Sequence, residues 1–164
     1  MVVLEKAPQI IFVISILAAI ACRSQVAWKF VGLYLLFWLF TVLLKIICNS
    51  FGQQFAQRPV GSGSTGIACG GLGGFPSSHT QAVVFTALFW TLYTWRAYRQ
   101  RAPNTSFLVL SLLLTAGLWT FAVLVARQRI QSGCHSLPQV SAGAVIGLVG
   151  ASISYFLVST MPTR

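Results

Sequence analysis

The sequence of 164 residues has almost no acidic side chains: it contains no aspartate, and Glu5 is its one carboxylate residue. Catalysis by a pair of carboxylates needs two such side chains. Protein sites for Mg²⁺ or Ca²⁺ also depend on carboxylate oxygens. The composition therefore argues against paired-carboxylate catalysis and against a carboxylate-held metal, and we expect the protein to use no metal and no cofactor.

Charged residues of both signs are scarce. They make up 7% of the chain, while hydrophobic residues make up 56%, and soluble domains are about a quarter charged. An apolar run of about 20 residues can cross a bilayer as a helix. The pattern predicts one all-α domain over residues 1–164, a polytopic membrane helix bundle with five transmembrane helices, at Pro8–Cys22, Val31–Cys48, Ser77–Trp95, Phe107–Ala126 and Leu137–Val158. The first run is short, and a cleaved signal peptide is the alternative for it.

The net charge of +10 comes from basic residues at helix ends, without a basic stripe. This distribution favours the anionic head groups of a bilayer as partner over nucleic acid. Five helices in alternating directions would place the N-terminus, Arg58, His79, Arg129 and His135 on one face. With the two arginines set aside, that face has three basic residues against six on the other, so the positive-inside rule predicts a luminal or external location for it.

The stretch "GFPSSHTQ", Gly74 to Gln81, places hydroxyls and a histidine where the third long helix begins. Ser77 is a candidate N-cap, and a helix N-terminus attracts phosphate through its free N–H groups and its dipole. Arg58 and Arg129 would add charged, bidentate donors. His79 and His135 can act in succession as general acid and nucleophile. Each feature alone has a structural explanation, but their coincidence on one face favours a phosphoryl-transfer site.

Three short blocks at these helix ends resemble the type 2 phosphatidic acid phosphatase superfamily. The blocks are Arg58-Pro59, "PSSH" at Pro76 to His79, and Arg129 followed by His135 and Gln139. The segments "GFPSSHTQ" and "HSLPQV" are most similar to the dolichyldiphosphatase branch. That resemblance implies a metal-independent phosphatase that cleaves a polyprenyl, dolichyl-type diphosphate to the monophosphate at the luminal or external membrane face. In a eukaryote we expect the endoplasmic reticulum membrane, with a luminal site. The alternatives are a broader lipid phosphatase acting on phosphatidate-like substrates and a catalytically silent relative that binds lipid or scaffolds a complex.

The resemblance also implies roles for individual residues. Arg58, Ser77 and Arg129 would bind the phosphoryl group, with help from the backbone N–H of Ser78. His135 would be the nucleophile that forms a phosphohistidine, and His79 would protonate the leaving group. These are the seven expected site residues when Gln139 is included.

Gln139 lies four residues after His135, so both share a face if the last helix has begun. We expect its amide oxygen to accept the Nδ1–H of His135, which would leave Nε2 free to attack. Two family positions differ: the lysine usual seven residues before Arg58 is Phe51, and the serine common before Arg129 is Gln128. Lys45, thirteen residues before Arg58, or one of three nearby glutamines can take the place of the lysine, and these glutamines are Gln53, Gln54 and Gln57.

Two further expectations concern the outer face and the lipid chain. Cys69 and Cys134 would both lie on the outer face, where a disulfide and two free thiols are both possible. The prenyl chain would lie in the bilayer or in grooves lined by residues such as Phe85, Phe89 and Trp90.

Overall fold

The computed structural model describes residues 2–51, 56–59, 69, 73–100 and 105–160. These ranges contain no β-strand. They form a four-residue turn, α1 (Val2–Glu5), followed by five long helices, which are α2 (Ala7–Cys22), α3 (Gln25–Ser50), α4 (Ser78–Gln100), α5 (Thr105–Gln131) and α6 (Leu137–Thr160). Each predicted apolar run corresponds to one long helix, so the predicted all-α bundle is confirmed.

Three of the five long helices, α3, α5 and α6, are long and apolar enough to cross a membrane. The apolar helix α2 has only 16 residues. The central helix α4 is long enough, but its serine, threonine, glutamine and arginine side chains keep it below the hydropathy of the other three. The expectation of a membrane protein therefore stands, and composition supports three of the five predicted spans.

The polar helix α4 lies inside the bundle, where α5 and α6 pack along it. Glycines on α6 allow a very close approach to its backbone. A Cβ added at Gly143 would lie 2.5 Å from the carbonyl oxygen of Ser77, and one at Gly147 would lie 2.7 Å from that of Gln81. Because these atoms belong to the main chain, no rotamer change could relieve the contact. The first turn of α4 is thus held against α6.

The aromatic core lies on α3 and α4. Phe85 and Phe89 are completely buried beside Phe30, and Trp90 packs on the same cluster. The prediction that Phe85 and Phe89 line a lipid groove is therefore wrong, because both side chains are enclosed by protein. An apolar groove of about 460 Å³ lies instead between α3 and α6, with Phe37 among its lining residues.

Candidate active site

The three sequence blocks meet at one end of the bundle through main-chain hydrogen bonds. The N–H of Ser77 donates to the carbonyl oxygen of Gln139 over 3.1 Å, which joins the start of α4 to the start of α6. The N–H of Gly74 donates to the carbonyl oxygen of Ala56 over 2.7 Å, which brings in the segment before Arg58. The residues that the sequence placed on one face therefore lie together.

Arg129, in the last turn of α5, is the largest fully buried side chain of the bundle, with 1% exposure. Its Nε and one terminal nitrogen are buried and make no hydrogen bond within the described ranges. A buried charge without a partner is costly, because it has lost its hydration and gained nothing in return. The unpaired nitrogens of this side chain can therefore bind an anion.

Two further cations lie near Arg129. Arg58 is half-buried and donates from one terminal nitrogen to the carbonyl oxygen of Cys134 over 3.0 Å. Lys45, near the end of α3, is only 5% exposed and donates from Nζ to the carbonyl oxygen of Gly73 over 2.8 Å. The cluster of three cations, Lys45, Arg58 and Arg129, concentrates positive charge where a phosphoryl group would carry negative charge.

His135 lies in the connection between α5 and α6 and is 3% exposed. Its Nδ1 is 2.7 Å from the carbonyl oxygen of Gly74, and since a carbonyl only accepts, Nδ1 carries the hydrogen and Nε2 the lone pair. Burial first, and then the charges of Lys45, Arg58 and Arg129, lower the pKa of His135 to about 3, against the opposite effect of the Gly74 bond. The imidazole is therefore neutral at physiological pH, with Nε2 in nucleophilic form.

His79 is the second residue of α4 and is half-buried. Its Nε2 lies 2.9 Å from the backbone carbonyl oxygen of Glu5 at the end of α1, so Nε2 donates this bond. Nδ1 is then the ring atom available to exchange a proton with a ligand. The one acidic residue of the chain thus contributes its main chain to the site.

Ser77 occupies the N-cap position at the first turn of α4. Ser77 precedes the helix and is fully buried, and its carbonyl oxygen accepts the N–H of Gln81 over 3.0 Å. Its hydroxyl lies 3.1 Å from that of Thr80. Ser78, the first helical residue, is half-buried. The N–H groups of such a first turn have no partner within the helix and can face an anion.

The expected hydrogen bond between Gln139 and the Nδ1 of His135 is wrong, because the carbonyl of Gly74 occupies that position. Gln139 is 3% exposed, and its Oε1 accepts the N–H of Ser136 over 3.2 Å while its Nε2 donates to the carbonyl of Gln57 over 2.6 Å. Its side chain also packs on Gly74, where an added Cβ would lie 2.7 Å from Oε1. Gln139 therefore holds Gly74, the acceptor for His135, in place.

A disulfide joins Cys69 and Cys134, whose Cα atoms are 5.3 Å apart. This pairing, which the sequence left open, ties the segment before α4 to the residue next to His135. The carbonyl of the same Cys134 accepts the hydrogen bond from Arg58. The disulfide therefore anchors the main chain that positions two of the expected site residues.

The family model of the PAP2 superfamily matches residues 27–161, which include most of α3, all of α4 to α6 and all seven expected site residues. The chain belongs to the PAP2 superfamily. Members of this superfamily are phosphatases, so membership supports a phosphatase that acts on lipid phosphates. The comparisons with curated proteins and with solved structures found no match. The dolichyldiphosphatase branch stays a prediction.

Within this PAP2 chain, Lys45 is the site residue that the sequence left open. A lone lysine in the apolar run of α3 was a signal for it, since a charge inside a membrane helix is usually functional. Gln53 and Gln54 lie outside the described residues, and Gln57 contributes its carbonyl to Gln139. The backbone acceptors Glu5 and Gly74 had no signal in the sequence, because every residue has the same carbonyl group.

Proposed function

We propose that this PAP2 protein hydrolyses a polyprenyl, dolichyl-type diphosphate to the monophosphate, without a metal and through a phosphohistidine. The observation that carries the proposal is the buried guanidinium of Arg129, two of whose nitrogens have no partner within the described ranges. With Lys45 and Arg58 beside it, a phosphoryl dianion would satisfy these donors and offset the repulsion among the three cations. A neutral lipid would leave both problems unsolved.

The proposed reaction has two steps. In the first, Nε2 of His135 bonds to the terminal phosphorus and the P–O bond of the anhydride breaks. His79 enters this step as an imidazolium, a form that the bound phosphoryl anions favour, and gives its Nδ1 proton to the prenyl monophosphate that leaves. In the second, His79 takes a proton from water, the water oxygen bonds to phosphorus, and the P–N bond breaks. Inorganic phosphate is released and both imidazoles return to their starting forms.

The phosphoryl group would lie between the cations and the first turn of α4. Arg58, Arg129 and Lys45 would stabilise its charge through hydrogen bonds, and the N–H of Ser78 would add a donor at the positive end of the helix dipole. Ser77 would contribute through its hydroxyl. The lipid chain can extend into the apolar groove between α3 and α6.

Lys45 bears on the alternatives. The hypothesis of a silent relative was based on the lysine missing before Arg58. In the proposed site Lys45 supplies that charge from α3, so this reason no longer applies.

The preference for a diphosphate rests on leaving-group chemistry, since a lipid monophosphate leaves far more readily than an alkoxide. We expect kcat/KM for a long polyprenyl diphosphate to exceed that for phosphatidate by at least about tenfold, or about 1.4 kcal/mol in the transition state.

We further propose that the site faces the lumen of the endoplasmic reticulum. The disulfide between Cys69 and Cys134 supports this side, because such bonds persist in oxidising compartments. The bias of basic residues toward the other face agrees with it. Labelling of single cysteines at Ser64 and Arg96 in sealed endoplasmic-reticulum vesicles, whose outer surface is the cytoplasmic one, tests the orientation. Arg96→Cys should be labelled from outside, and labelling of Ser64→Cys alone from outside would reverse the assignment.

The decisive assay measures phosphate release by the purified protein in detergent with EDTA, from prenyl diphosphate and from phosphatidate below saturation. Turnover should persist in EDTA and favour the diphosphate. An equal or reversed preference would support the broader lipid phosphatase instead. Activity lost in EDTA and restored by Mg²⁺ would contradict the histidine mechanism.

A phosphoenzyme trap tests the two histidines separately. Acid quenching with ³²P-labelled diphosphate should trap an acid-labile phosphoenzyme in the wild type and none in His135→Ala. His79→Ala should form it slowly, and most slowly with phosphatidate, whose alkoxide needs the proton most. A phosphoenzyme that survives in His135→Ala would remove His135 as the nucleophile.

A further inference from the structure

Gln128 is a buried polar side chain that the proposed steps do not use. It is 6% exposed, and both Nε2 and Oε1 are buried without a hydrogen-bond partner in the described part of the chain. Buried amides normally bond to protein or ordered water, because an unpaired amide forfeits its hydration. Both polar atoms of the Gln128 amide therefore have unused hydrogen-bonding capacity.

The position of Gln128 places it beside the acid of the proposed reaction. Val125 on α5 packs in one cluster with Val83 on α4. Gln128 and Arg129 follow Val125 by three and four residues, so both continue its buried face by one turn. His79 precedes Val83 by four residues on the antiparallel helix α4. Gln128, Arg129 and His79 therefore share one level at the end of the bundle.

We propose that Gln128 binds the second phosphate of a diphosphate substrate, an inference that rests on the proposed function. In the proposed reaction His79 protonates the leaving group, so the phosphate that stays on the lipid lies next to His79, at the level of Gln128. The amide offers Nε2 as a donor to a P–O⁻ oxygen and Oε1 as an acceptor for a P–OH group. A leaving phosphate that has just received a proton presents both.

The binding test uses methylenediphosphonate, a diphosphate analogue that cannot be hydrolysed at its bridge, and inorganic phosphate as the comparison. Dissociation constants come from the rise in Tm of the purified protein with ligand concentration. Gln128→Leu keeps the approximate volume and removes both polar atoms. Gln131→Leu, at an exposed position on the same helix, is the matched control.

Gln128→Leu should weaken binding of methylenediphosphonate at least about tenfold, equivalent to about 1.4 kcal/mol, and change the phosphate constant by less than about threefold. Gln131→Leu should change neither. Equal weakening of both ligands, or unchanged binding of the diphosphonate, would overturn the assignment. Because binding is measured without turnover, a wild type that fails to hydrolyse prenyl diphosphate would defeat the proposed function while this test still decides the role of Gln128.

Discussion

Replacing Arg129 by methionine should reduce activity severely without reducing stability. The guanidinium is 1% exposed and has two buried nitrogens without partners in the described ranges. If both donate to the phosphoryl group, each charge-assisted hydrogen bond contributes about 1.5–3 kcal/mol. Their loss of about 3–6 kcal/mol corresponds to a fall in kcat/KM of about 10²- to 10⁴-fold.

The same substitution should not lower the free energy of unfolding. Without an anion, the buried charge of Arg129 destabilises the folded protein, so an apolar side chain of similar length should leave the free energy of unfolding unchanged or raise it. Phosphate should raise the Tm of the wild type and have little effect on Arg129→Met, since ligand binding to the folded state is what stabilises it.

The assay pairs kcat/KM for prenyl diphosphate with Tm in the same detergent, with and without phosphate. Arg127→Met is the matched control, because Arg127 is exposed and lies two residues before Arg129. It should retain wild-type activity and the response to phosphate. A kcat/KM for Arg129→Met within about threefold of the wild type would refute the assignment of Arg129 to phosphate binding.

Three other predictions concern Lys45, Gly143 and His135. Lys45→Met should lower kcat/KM by about 10- to 100-fold, which corresponds to the loss of one charged hydrogen bond. Lys29→Met, near the start of α3, should leave kcat/KM unchanged. A kcat/KM for Lys45→Met equal to that of the wild type would remove Lys45 from the site. Gly143→Ala should lower Tm and activity because its Cβ would meet main chain at 2.5 Å. Gly117→Ala, with open space around it, should leave Tm unchanged or raise it. An unchanged Tm for Gly143→Ala would contradict the close helix contact. In ¹⁵N-histidine spectra, His135 should stay neutral with hydrogen on Nδ1 as pH falls from 7.5 to about 5, because its lowered pKa of about 3 delays protonation; a midpoint near the unperturbed value of about 6.5 would contradict this.

The helical architecture could be predicted because it follows from local features. Long apolar runs specify helices wherever they occur, and the basic and Gly-rich connections mark their ends. The role of α4 could not be predicted in this way. Its phenylalanines resembled a lipid-facing span, yet Phe85 and Phe89 are completely buried. Only the packing of α3 and α6 against this part of α4 decides that these two side chains face protein.

The sequence by itself determined which residue types are the candidates for the chemistry and at which helix ends they lie. The scarcity of acids left histidine and arginine as the reactive groups, and the spacing of the three blocks placed them on one face. The tertiary structure decided the partner of each polar atom. It brought Lys45 into the site, paired Cys69 with Cys134, and gave the Nδ1–H of His135 to Gly74 instead of Gln139. Such partners depend on how distant main-chain segments pack. Every residue has the same backbone carbonyl, so the sequence cannot show which one accepts a given hydrogen bond.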